Sequence, residues 1–85
     1  MKHAGATALD ALEPLLAEIR GRPQLREKSR GAFYRQGRAW LHFHEDPAGL
    51  FADFRGGSDW VRLRVSEAAE RRTLIAAIDE ALRGP

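Results

Sequence analysis

The chain has 85 residues, 44% hydrophobic and 31% charged, which fits one globular domain close to the lower size limit for a self-sufficient core and excludes a disordered tract. Cysteine is absent, which excludes disulfides, thiolate metal sites and a cysteine nucleophile, and accords with an expected cytoplasmic location. The net charge of +2 argues against a polycation, and "MKHAGATALDAL" at the amino end has no apolar run suited to a signal peptide or membrane span.

In chain order, Leu9, Leu12, Leu15, Leu16 and Ile19 recur at helical spacing and predict a helix over 7–20. Thr7 with Asp10, or Asp10 with Glu13, is the expected cap. Pro14 lacks the amide donor that a helix interior requires, so the regular helix is expected to begin nearer Asp10, and Gly21 and Pro23 end it. Residues 20–38 then hold seven basic side chains (Arg20, Arg22, Arg26, Lys28, Arg30, Arg35, Arg38) against one acid, Glu27. Such a block suits either a solvated strand edge or contact with phosphates or an acidic partner.

From residue 31 the hydrophobic period changes to two, predicting strands at 31–36, 38–45, 50–55 and 59–65. Gln36-Gly37 suits a tight hairpin, Asp46-Pro47-Ala48-Gly49 a type I turn, and Gly56-Gly57-Ser58-Asp59 a third turn. Ser66 is the expected cap of a last helix that buries Leu74, Ile75, Ile78 and Leu82 and stops at Gly84. The expected fold is therefore a single α+β domain over 1–85. It has two layers in the order α-β-β-β-β-α, with an antiparallel meander and both helices on one face.

Short turns also fix side-chain parity. Counting outward from two-residue loops puts Tyr34, Ala39, Leu41, Phe43, Leu50, Ala52, Phe54, Val61, Leu63 and Val65 on the helix-covered face. The opposite face receives Phe33, Arg35, Arg38, Trp40, His42, His44, Phe51, Asp53, Arg55, Trp60, Arg62 and Arg64. Three cross-strand rows are predicted there: Trp40–Arg55–Trp60, His42–Asp53–Arg62 and His44–Phe51–Arg64. With both helices on the other side, only the 22–30 segment remains to cover this surface. Exposed tryptophans beside arginines mark contact surfaces, so Trp40, His42, Asp53, Arg55, Trp60 and Arg62 are the expected binding residues, for a protein partner or a second copy of the chain.

Other chemistries compete for the same face. His42 and His44, one residue apart on a strand, point the same way and would need a third metal ligand, for which Asp53 is the candidate. Arg62, predicted beside Asp53, competes for that carboxylate and repels a cation, so no metal or cofactor is expected. A His42–Asp53 pair has the character of a general acid–base, yet the rows hold no serine or cysteine nucleophile and the face has no enclosed pocket. Single-stranded nucleic acid would use the aromatics for stacking, but "RGAFYRQG" at 30–37 only superficially matches an RNA-recognition octamer.

The stretches "RAWLHFHED" (38–46), "LFADFR" (50–55) and "SDWVRLRV" (58–65), followed by a terminal helix, resemble a family of small bacterial and fungal domains labelled "luciferase" domains. The resemblance covers roughly the last two-thirds of the chain. It implies this order of elements and supplies no catalytic residues. The element order is also similar to frataxin-like two-layer domains, a likeness of fold alone.

Overall fold

Apolar stripes on the helices decide where the layers meet. In the computed structural model, which describes residues 1–84, α1 (Ala6–Ile19) buries Ala8, Leu12, Leu15, Leu16 and Ile19. The second helix, α2 (Ala68–Leu82), buries Leu74, Ile78 and Leu82. Both stripes join Leu41, Phe43, Ala52 and Phe54 of the sheet, and Val65 just after it, in one core, so the domain is a two-layer α+β fold. No helix among the described residues is long and apolar enough to cross a membrane.

The sheet has six antiparallel strands. Along it run β2 (Arg26–Ser29), β3 (Ala32–Arg35), β4 (Arg38–Asp46), β5 (Gly49–Gly56) and β6 (Asp59–Arg64), each paired with the next. The remaining strand, β1 (Lys2–His3), pairs with β4 beyond the end of β3. Neither β1 nor β2 is among the strands expected from periodicity. Because β2 extends the sheet beside β3, the 22–30 segment does not cover the outer face.

Pro14 lies inside α1, which begins at Ala6 rather than near Asp10. The amide donor lost at Pro14 would have met the carbonyl of Asp10, an exposed residue whose backbone water can serve. Gly5 is the N-cap, and its N–H donates to the Glu45 carboxylate of β4 at 2.6 Å, which places a negative charge at the start of the helix; neither Thr7 nor Asp10 caps it. The cap of α2 is Glu67 rather than Ser66. The Ser66 hydroxyl instead accepts from the Leu50 amide at 2.9 Å, and Glu70 accepts from the amides of Ser66 and Glu67.

Several of the basic side chains in 20–38 are engaged by acids of the helices and of β2. Arg20 pairs with Glu13 and Glu27, Arg22 grips Asp79 through two bonds of 2.9 Å, and Arg30 bridges Asp10 and Glu13. The charge run therefore fastens the edge of the sheet to the helices.

The expected turns set most of the register. Gln36 (φ 52°) and Gly37 (φ 80°) both occupy the left-handed region, the signature of a type I′ hairpin. The pairs Asp46↔Gly49 and Gly56↔Asp59 leave two-residue loops at 47–48 and 57–58. The rows His42↔Asp53↔Arg62 and His44↔Phe51↔Arg64 follow as predicted, as does the pair Arg55↔Trp60.

Parity fails at one place. Tyr34 pairs with Ala39, but Phe33 pairs with Leu41, so β4 carries an extra residue, Trp40, in a bulge. The indole is 5% exposed and lies 5.9 Å from the Phe54 ring, in the core. The expectation that Trp40 lines the outer surface in a row with Arg55 and Trp60 is thus overturned. The same slip buries Phe33 at 1% exposure, while Tyr34 stays half-buried with the Lys28 ammonium 4.4 Å from its ring.

Candidate metal centre

Alternation along β4 turns His42 and His44 to the same side, and the bulge at Trp40 lies before them, so their phase is undisturbed. To them β1 adds His3, the cross-strand partner of His44. Two flanking contacts hold this short strand in register: the Ala4 amide donates to the Phe43 carbonyl at 3.0 Å, and Gly5 donates to Glu45. The His3 ring stacks on His44 at 4.6 Å, His42 meets His44 edge-on at 4.9 Å, and His3 and His42 are 5.8 Å apart. One nitrogen from each of the three imidazoles falls within 4.8 Å of the others.

Burial rises steadily across the cluster. His3 is exposed, His42 half-buried and His44 only 8% exposed, beneath the His3 ring. The Nδ1 atoms of His42 and His44 are buried without a hydrogen-bond partner. Burial pushes the pKa of both imidazoles below the ordinary value, with the Asp53 charge opposing this and the neighbouring imidazoles adding to it. Both are therefore neutral near pH 7, the state in which imidazole ligates a metal.

Asp53 is placed as expected opposite His42, but it does not orient that ring. Its two oxygens accept from Nε and Nη2 of Arg62, each at 2.7 Å, and this guanidinium holds the carboxyl below the usual carboxylate range. The nearest imidazole nitrogen is Nδ1 of His44, on the diagonal, 3.4 Å from Oδ2. Asp53 is accordingly committed to Arg62, and His3 supplies the third nitrogen donor that sequence reasoning sought in the carboxylate. The bidentate pair also neutralises Arg62, which removes much of the repulsion expected toward a cation.

Trp60 borders the cluster, with its ring 5.0 Å from His42 and the Arg55 guanidinium 4.5 Å from its centre. At 42% exposure its ring is open to solvent on this face. The Arg55 Nε donates to the Ala39 carbonyl at 3.0 Å, which fixes the guanidinium beneath the indole.

The donor set suits a borderline transition metal. Three neutral imidazoles are the ligand set of open zinc sites and also accept copper, nickel or iron. Nitrogens bound at 2.0–2.1 Å to a tetrahedral ion are roughly 3.4 Å apart. The three nitrogens lie within 4.8 Å of one another, and the exposed His3 ring is the one free to turn toward the other two.

Comparisons with family models, with curated proteins and with solved structures find no match to this chain.

The lowered imidazole values carry a pH dependence for the metal-free protein. Between the depressed folded-state values and the ordinary 6.5, the unfolded chain binds protons that the native state refuses. Stability is therefore full above about pH 6.5 and falls with acid, and Asp53 adds a further loss below its ordinary 3.8. Urea midpoints measured from pH 7.5 down to pH 5 are expected to fall for the wild type. In a His42→Gln, His44→Gln variant the slope over that range is expected to flatten.

Proposed function

We propose that this domain binds one divalent transition-metal ion through His3, His42 and His44, leaving a coordination position open to solvent. The observation that carries this reading is the convergence of three imidazoles from two strands, with two buried Nδ1 atoms that make no hydrogen bond. Orphaned polar atoms at 8% exposure in His44 are costly unless something satisfies them. A cation bound at one ring nitrogen would fix each tautomer and turn the other nitrogen into a donor. For His44 the Asp53 carboxylate then stands ready as the acceptor, the carboxylate–histidine–metal arrangement common to such sites.

Cobalt(II) titration of the purified protein tests the proposal, because the ion takes zinc geometries and absorbs in the visible. One equivalent is expected to bind near neutral pH with intense d–d bands, and zinc is expected to displace it. Failure to bind below millimolar cobalt overturns the reading.

A second reading is favoured by a separate observation, the exposure of Trp60 over Arg55. In it, Trp60, Arg55 and Arg62 form a contact for a protein partner or a second copy, since Trp and Arg dominate interface hot spots. Trp40 is no part of that surface, being buried.

A further inference from the structure

β1 and β3 both pair with the same edge of β4, one beyond the other. The ladder with β3 runs up to Leu41, and contact with β1 begins at the Phe43 carbonyl. His42 lies at the junction, paired only with Asp53 of β5. A strand edge left open between two docked strands is a breach in the sheet, and here it opens into a cleft of about 370 Å³. Its walls include Leu9 of α1, Ala32 and Phe33 of β3, and Leu41 and Phe43 of β4, while His3 and His42 line it from the metal side.

Gly31 lines the cleft with backbone alone. At φ +80° it brings the backbone against Leu9, and a Cβ there would lie 2.7 Å from the Leu9 methyl. The cavity is therefore shaped by backbone and core side chains, within the 300–1,000 Å³ range of small-molecule sites.

Resting on the metal-site reading above, we infer that this cleft takes the body of a small organic monoanion whose charged end completes the coordination shell. Three neutral imidazoles leave the full double charge on the ion, so the open position favours an anionic donor. The apolar part of the wall, which the cleft shares with Ser29, Arg30 and Tyr34, favours an anion carrying a ring or a branched chain over a bare inorganic one. Aromatic and branched carboxylates are the class that combines both properties in about this volume.

The test uses cobalt-loaded protein titrated with benzoate and, separately, with acetate, read by the shift of the d–d bands. Benzoate is expected to bind roughly tenfold or more tightly than acetate, from burial of its ring. Ala32→Leu, at the cleft wall, is expected to erase that advantage while leaving cobalt and acetate affinities unchanged. Ala39→Leu, which also lines the cleft, is the second variant should the first not fold. Equal affinities for benzoate and acetate on a normally loaded protein overturn the cleft and spare the metal site. A benzoate preference that survives both wall substitutions also overturns it. If cobalt does not bind at all, both proposals fall together.

Discussion

His44→Ala is expected to weaken cobalt(II) binding by about 100-fold or more, since loss of an outer-shell partner alone costs 10–100-fold. The size follows from how firmly His44 is held. It is 8% exposed, with His3 stacked on it at 4.6 Å and the Asp53 carboxylate 3.4 Å from Nδ1. A donor fixed this way loses little freedom on binding the metal, so more of each bond energy survives as affinity. Because His44 is buried, His3→Ala is the cleaner companion variant: it removes an exposed ring and creates no internal void. It is expected to weaken binding by a similar factor while the urea midpoint stays near that of the wild type. Asp53→Asn keeps the shape and removes the charge, and a loss of about 10–100-fold is expected for such a supporting group. Calorimetric titration of the three variants checks the series. Wild-type affinity in His3→Ala would show that the cluster is not the binding site.

Trp40→Ala is expected to destabilise the fold by about 3–5 kcal/mol, the usual cost of truncating a fully buried aromatic. Domains of this kind have only about 5–15 kcal/mol in all, so the variant should lie close to the unfolding threshold at 37 °C. The cause is the void left beside Phe54 and the loss of the bulge's one large anchor. Trp60→Ala is the contrasting case. Its indole is 42% exposed and stacked on Arg55, a contact worth about 0.5–1 kcal/mol at an exposed site. Urea unfolding of the two variants separates them, and a Trp60→Ala loss equal to that of Trp40→Ala would contradict the bulge. Light scattering on Trp60→Ala reads the second functional proposal, because a lower mass than wild type would locate a self-association surface at that indole.

The register of β4, β5 and β6 was legible because the two short turns at 47–48 and 57–58 fixed it, and local turn chemistry needs no knowledge of the rest of the chain. His42↔Asp53↔Arg62 is the direct outcome. The phase between β3 and β4 was not legible. "AFYR" places two aromatics side by side, and either one satisfies an alternating pattern, so only packing chooses Phe33 over Tyr34 for the core. A bulge at Trp40 resolves that choice and carries the indole inward with it. β2, "REKS", has no apolar residue and is held as an edge by pairing with β3. β1 is two residues long, below the reach of any periodicity, so His3 escaped notice even though it completes the cluster. The signal available for it was compositional: the chain has three histidines, and all of them meet at one place. Glu45 escaped for a related reason, since a carboxylate serving a helix end forty positions away leaves no local pattern.

The contrast between the two indoles gives the molecule a built-in optical gauge. Trp60 lies against His42 in contact with water, whereas Trp40 is sealed beside Phe54. Paramagnetic ions such as copper(II) quench emission over short range, so an ion bound as proposed beside His42 is expected to dim the emission of the exposed Trp60 first. Emission from the buried Trp40 is expected to lie further to the blue and to serve as an internal reference, so that the ratio of the two would report occupancy without any attached dye.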